Sequence, residues 1–258
     1  MMNEIKDGYV TSHNEHGITT IEFFHPQSNS LPAKILELLA REIHSAENDN
    51  DTKVIILRSG GDGAFCAGAS FDELSAINNE TEGLKFFSGF ANVINAMRKC
   101  KKIIIGRIQG KCVGGGVGFA AAVDYAIAVD KAEVKLSELA IGIGPFVVGP
   151  VIERKIGTSA FSQLAIDANL WRNAEWAKHK GLFAEVHSSI ESMDESVYRL
   201  ANSLSHSNPD AMIEMKKIFW KGTEHWDELL KERAAISGRL VLSEFTKNAI
   251  NKFKTKNS

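Results

Sequence analysis

The chain has 258 residues, of which 44% are hydrophobic and 24% charged, enough for one large core or a core plus a small appended unit. A net charge of −2 offers no basic excess for a nucleic-acid surface. No apolar run reaches the ~18 residues of a membrane span and the opening Met1 to Asp7 is polar, so a soluble, cytoplasmic protein without membrane contacts is expected. The three cysteines, Cys66, Cys100 and Cys112, form no CxxC and read as reduced thiols, with a nucleophilic Cys66 or Cys112 as a minor alternative. None of the eight histidines has a metal-ligand spacing, and no metal is expected.

In chain order, Tyr9 to Ser12 and Ile18 to Phe24 predict two strands joined by the turn Asn14-Glu15-His16-Gly17. Leu31 to Ala46 places Ile35, Leu36, Leu39 and Ile43 at helical spacing, with Pro32 suited to the first turn. Val54 to Leu57 predicts a short buried strand, followed by a glycine-rich loop and the turn Phe65-Cys66-Ala67-Gly68-Ala69. Helices follow at Phe71 to Ile77 and Phe86 to Met97, separated by the polar stretch Asn78 to Gly83, expected to be mobile. Ile103 to Ile108 predicts a strand, then come Gly114-Gly115-Gly116 and an alanine-rich helix. Asp124 to Val129 and Val134 to Leu136 predict further strands. Past Ile143 the pattern is helical, with a strand possible at Phe183 to His187. Amphipathic stretches cover Pro209 to Trp220 and Trp226 to Phe245, and Asn248 to Ser258 reads as a basic tail. The alternation predicts an α/β core with crossovers over residues 1–195 and a helical C-terminal region over 196–258.

The three consecutive glycines stand between a strand and a helix start, where backbone N–H groups lack partners and the helix dipole is positive. Without side chains there, a ligand can approach those donors: a phosphate, or the oxyanion that develops on a carbonyl during catalysis. The upstream turn around Gly68 could supply a second donor to the same oxygen.

Together, Val54 to Leu57, Gly63-Ala64-Phe65-Cys66-Ala67-Gly68-Ala69, Gln109-Gly110, the glycine triplet, Asp124 and Ser137-Glu138-Leu139-Ala140-Ile141-Gly142-Ile143-Gly144-Pro145 resemble the crotonase (enoyl-CoA hydratase/isomerase) superfamily. The resemblance runs along essentially the whole chain. It implies a ββα spiral core, a helical C-terminal trimerisation part, and a homotrimer or dimer of trimers. It implies an acyl-CoA thioester substrate, with coenzyme A as part of the substrate rather than a separate cofactor. By position it assigns the thioester oxygen to the amides of Ala69 and Gly115, and the adenine to the segment Phe65, Cys66 and Ala67 before Gly68. Phe71, Val117, Gly118, Ile141 and Phe146 could line an acyl pocket, with Phe86 and Phe87 as further candidates. Lys247, Lys252, Lys254 and Lys256 are either a solvated tail or part of a CoA phosphate pocket.

Hydratases of this family resemble one another in carrying two glutamates, and here the first position is Gly118 while the second, Glu138, is kept. A glycine has no side chain to exchange a proton. One carboxylate suits moving a proton between carbons, as in Δ3,Δ2-enoyl-CoA isomerases, better than adding water. The expectation is therefore a proton shuttle through Glu138, leaning to double-bond isomerisation. Alternatives are a one-glutamate hydratase, a decarboxylase or thioester hydrolase on the same fold, and a catalytically silent acyl-CoA-binding subunit. The missing side chain at Gly118 is also expected to leave room for a bulkier acyl group. Asp72 and Glu73 are expected to be solvated helix-face charges, and Asp124 to cap the preceding helix or pair locally.

Overall fold

A computed structural model describes residues 7–257. In chain order it begins with β1 (Tyr9–Glu15), β2 (Ile18–Phe24), α1 (Ala33–Asn48), β3 (Val54–Ser59), α2 (Phe71–Ala76), α3 (Glu80–Lys99) and β4 (Ile103–Ile108). Next come β5 (Cys112–Val113), α4 (Gly115–Ala122), β6 (Tyr125–Val129), β7 (Glu133–Lys135), a 3-10 turn (Leu139–Ile141) and α5 (Gly149–Ile166), which is broken at Gly157. The chain closes with β8 (Arg172–Asn173), α6 (Ala174–His179), β9 (Glu185–His187), α7 (Ile190–Ser205), α8 (Pro209–Phe219), α9 (Trp226–Leu240) and α10 (Glu244–Asn257).

Every residue of β4 is buried, as befits a parallel strand covered on both faces. It occupies the middle of a six-stranded sheet ordered β1-β2-β3-β4-β6-β9, parallel throughout except for the β1–β2 hairpin. This confirms the α/β architecture. A second sheet of very short strands, ordered β5-β7-β8, carries the functional loops. Two of its strands are only two residues long, and their sequences give no strand period to read.

Three of the expected elements differ in the structure. Asn78 to Gly83 is not a loop: the Asn79 side chain accepts from Glu82 N–H at 2.9 Å, while Glu82 Oε2 accepts from Asn78 N–H at 2.8 Å. This reciprocal cap starts α3 at Glu80, well before Phe86. The stretch Trp226 to Phe245 is two helices, because Ser243 Oγ accepts from Thr246 N–H and opens α10. The expected basic tail is largely part of α10, and the side chains of Lys254 and Lys256 lie outside the described residues. Residue 195 falls inside α7, whose neighbours are strands β2, β3, β4, β6 and β9.

Two buried charges fasten the helices to the sheet. Arg107 of β4 donates to both carboxylate oxygens of Asp194 in α7, a forked pair. Asp124 neither caps a helix nor pairs locally. Its Oδ2 lies 2.9 Å from Lys216 Nζ of α8 and accepts from Ile104 N–H at 2.8 Å. Lys216 Nζ also donates to the Lys102 carbonyl, and both side chains of the pair are almost fully buried. Truncating one partner strands the other charge, so Lys216→Met should destabilise by ~3–5 kcal/mol in urea titration. A combined Lys216→Met/Asp124→Asn variant should recover part of that loss, and strict additivity would show that the pair is not coupled.

Candidate active site

Backbone pairing lays two loops side by side. Cys66 and Cys112 form an isolated parallel bridge, in which Cys66 N–H donates to the Lys111 carbonyl at 3.1 Å and Val113 N–H to the Cys66 carbonyl at 2.9 Å. Gly68 then stands against Gly115: a Cβ at Gly68 would be 3.8 Å from the Gly115 amide nitrogen. Ala69 is bridged in parallel to Leu31, with Leu31 N–H bonded to the Gly68 carbonyl and Ser70 N–H to the Leu31 carbonyl. In that geometry the amide of the bridged residue points away from its partner. Among the described residues, neither the Ala69 amide nor that of Gly115, the first residue of α4, has a backbone acceptor.

The glycines of the triplet serve separate contacts. Gly114 has φ +50°, the region glycine favours, and a Cβ there would meet Glu138 Oε1 at 2.7 Å. One at Gly115 would strike the Phe90 ring, and one at Gly116 the Cys66 carbonyl oxygen at 2.6 Å. The triplet is thus both a helix start and the contact surface for the other loop and for Glu138.

Glu138 arrives through the small sheet. Pairing of Cys112 with Val134 and of Val113 with Lys135 sets β7 alongside β5, and Gly114 N–H donates to the Lys135 carbonyl at 2.9 Å. The chain then leaves β7 through Ser137 and turns at Leu139–Ile141, ended by Gly142 at φ +83°. Glu138 is pinned by its own carbonyl, which accepts from Ile141 N–H and from Ile143 N–H. Its Oε2 is buried and has no hydrogen-bond partner. Burial disfavours the ionised carboxyl and raises its pKa from 4.5 to about 7.

These groups face one cavity of roughly 610 Å³, mouth included, between the glycine turns, α3 and the segment after Glu138. Of the residues expected from sequence, Ala67, Gly68, Ala69, Phe71, Gly115, Glu138, Ile141 and Phe146 line it, as does Phe87. Phe65, Cys66, Val117, Gly118 and Phe86 do not. Phe65 and Cys66 are fully buried: Phe65 packs edge-on against Phe23, and Cys66 supports the bridge beneath Gly116. Neither side chain can face an adenine. Burial also pushes the Cys66 thiol up to about 12 and that of Cys112 well above its usual value, which removes both as thiolate nucleophiles.

Gly118 leaves no space. A Cβ there would come within 2.6 Å of Val148 Cγ1, so the volume expected to admit a bulky acyl group is already filled. Asp72 is an exposed helix-face charge, as expected, and accepts from Gln27, whereas Glu73 is half-buried and its Oε2 accepts from the Ala33 amide at the start of α1. Sequence reasoning missed Leu74, Phe90, Val148 and Ser237, all of which line the cavity. The first two sit at helical spacing beside named candidates. Ser237 lies on α9, far along the chain, and nothing local marks it. Lid-like packing of α10 against α2 and the 3-10 turn was also unforeseen; Thr246 Oγ1 would be 2.7 Å from a Cβ at Gly142.

Two unpaired amides beside a buried carboxyl can hold an oxygen that gains negative charge while a proton is removed nearby. The described residues contain no cluster of three or more His, Cys, Asp or Glu suited to a metal ion, and no helix among them is long and apolar enough to cross a membrane.

Known proteins share this arrangement of elements. The profile of the family described as enoyl-CoA hydratase/isomerase matches residues 13–256. Mitochondrial methylglutaconyl-CoA hydratase of Mus musculus is 30% identical over 201 residues, which cover 76% of this chain but only 63% of that protein, less than two thirds of its length. The peroxisomal Delta(3,5)-Delta(2,4)-dienoyl-CoA isomerase of Arabidopsis thaliana is 26% identical over 211 residues, covering 76% of this chain and 74% of that protein. The crystal structure of enoyl-CoA hydratase from Bacillus halodurans superposes with a TM-score of 0.87 at 21% identity, over 95% of this chain and 99% of that one. Sequence and fold therefore agree that the chain belongs to the enoyl-CoA hydratase/isomerase family, within the crotonase superfamily.

Proposed function

We propose that this chain binds an acyl-CoA thioester and moves a proton on its acyl group through Glu138. The observation that carries this reading is a carboxyl with one buried, unpartnered oxygen facing the same apolar cavity as the unpaired amides of Ala69 and Gly115. A thioester carbonyl placed between those amides gains negative charge as its α- or γ-proton leaves, and donors fixed in advance stabilise that enolate without reorganising. Burial in a wall of Phe71, Leu74, Phe90 and Ile141 keeps the Glu138 carboxyl close to neutral pKa, where it can both take and return a proton. Coenzyme A enters as part of the substrate.

Double-bond isomerisation is the reaction this arrangement supports best. Hydration would need a group to orient water beside Glu138, and the position where two-glutamate hydratases carry the other carboxylate is Gly118, packed against Val148. Family relatives named as hydratases and as isomerases both exist, so the choice rests on this packing. Self-association as a homotrimer or dimer of trimers belongs to the same reading. Exposed Met215, Ile218 and Phe219 on α8 supply apolar surface for it, and light scattering on the purified protein should give a mass of three or six chains.

Glu138→Gln should lower turnover of cis-3-enoyl-CoA about 10²–10⁴-fold while leaving thioester affinity within a few fold. Wild-type turnover should rise with pH through a midpoint of about 7 and flatten above it, because the base must be ionised. A pH-independent rate or a fully active Gln variant would remove Glu138 from the chemistry. The stability of the two proteins should diverge in a matching way. A carboxyl whose folded-state pKa lies above its unfolded value is tolerated below the unfolded value and penalised as pH rises toward about 7. The Tm advantage of the Gln variant should therefore grow between about pH 5 and about pH 8.

Gly118→Glu alone should destabilise by ~1–3 kcal/mol through its clash with Val148. Paired with Val148→Ala, it should shift products from the positional isomer toward the hydrated thioester, resolved by chromatography of the acyl-CoAs. An unchanged product ratio in a folded double variant would detach reaction type from this position.

A further inference from the structure

Helices α3 and α9 cross at two glycines. A Cβ at Gly83 would stand 2.6 Å from Gly238 Cα, and one at Gly238 would stand 2.7 Å from Leu84 N, so neither helix could come this close with a side chain at the crossing. The residue before Gly238 is Ser237, which is only 1% exposed and lines the same cavity as Glu138. The cavity wall that it joins is largely hydrocarbon, with Leu74, Phe87, Phe90 and Phe146 in its lining.

A buried helical serine ordinarily satisfies its hydroxyl by bonding a carbonyl one turn back. On more exposed helical positions this chain uses that device at Ser162 and Ser205, whose hydroxyls donate to the carbonyls of Ser159 and Asn202. The Ser237 carbonyl accepts from Val241 N–H, but its hydroxyl makes no such bond and has no hydrogen-bond partner among the described residues. An unpaired hydroxyl in an apolar wall is costly, and alanine would fill nearly the same volume with a better helix propensity. The hydroxyl is therefore free to bond an occupant of the cavity.

We propose that Ser237 is a specificity residue that hydrogen-bonds an oxygen on the acyl chain, beyond the thioester carbonyl, so that the cavity favours oxygenated acyl groups over plain hydrocarbon ones. The proposal rests on the reading of this cavity as the acyl site. An oxygenated chain pairs the hydroxyl, whereas a hydrocarbon chain displaces any water and leaves it unpaired. Sites built around a polar group discriminate strongly against ligands that lack the matching group.

The test is competition binding of hexanoyl-CoA, of 3-, 4-, 5- and 6-hydroxyhexanoyl-CoA, and of free CoA, to the wild-type protein and to Ser237→Ala. At least one hydroxyacyl thioester should bind wild type about tenfold more tightly than hexanoyl-CoA. Ser237→Ala should abolish that preference by weakening the hydroxyacyl thioester and leaving or improving hexanoyl-CoA, with free CoA unchanged. Absence of any preference in wild type, or its survival in Ser237→Ala, overturns the assignment of Ser237. If no thioester binds better than free CoA to either protein, the failure lies in the acyl-site reading itself. Matching thermal unfolding of the two proteins establishes that the comparison is between folded molecules.

Discussion

The site depends on how closely two backbones can be brought together. The loop after β3 and the loop after β4 are joined by the Cys66–Cys112 bridge, whose two amide–carbonyl bonds define the spacing of everything that follows. That spacing is possible only where side chains are missing or small, because a Cβ at Gly116 would overlap the Cys66 carbonyl. Once the bridge forms, Gly68 and Gly115 are neighbours, and the amides of Ala69 and Gly115 are left with no backbone acceptor. The parallel sheet accounts for why both loops emerge at the same edge. In parallel strands the chain leaves each strand on the same side, and β3 and β4 are adjacent.

Burial then changes what Glu138 is. The same carboxyl at the protein surface would be ionised at neutral pH, a weak base of little use against a carbon acid. Enclosed with Oε2 unpaired, it sits near pKa 7 and can exchange a proton in either direction. Its position is secured by backbone rather than by side-chain contacts: β5–β7 pairing on one side, and the 3-10 turn that bonds its carbonyl on the other. That leaves the carboxyl itself uncommitted. Glutamate is disfavoured in such a place, and the cost is the kind of local expense that active sites carry.

What could be read from the sequence was whatever rests on backbone geometry and periodicity. β4 announced itself as a continuous apolar run, and the glycine triplet and Gly68 marked turns whose order along the chain placed Ala69, Gly115 and Glu138 in a common cavity. What could not be read depends on tertiary packing. The absence of a side chain at Gly118 suggests empty space in one dimension, yet in three dimensions Val148 occupies it. Phe65 and Cys66 are next to the site in sequence but beneath it in space, Phe65 packed on Phe23 and Cys66 under Gly116. Asn78 to Gly83 looked like a loop because polar residues are common to loops and to helix caps. Only the reciprocal bonding of Asn79 and Glu82 separates the two.

Glycine appears in two roles that the sequence cannot distinguish. At Gly118, the missing side chain is matched by a neighbour that fills the gap, so the result is a dry apolar contact in which no further acid or base is present. At Gly83 and Gly238, the missing side chains let one helix advance onto another. That advance carries Ser237, the next residue, into the wall of the cavity. The polar equipment of the site is thus set by packing as much as by motif. The first contact leaves no room for a side chain at Gly118, and the second delivers a hydroxyl from a helix with no catalytic signature. On the proposed reading, a cavity with one carboxyl, two amides and a hydroxyl, set in a largely hydrocarbon wall, selects its occupant through a few polar contacts. Each of them is strong because the surrounding wall offers no substitute partner.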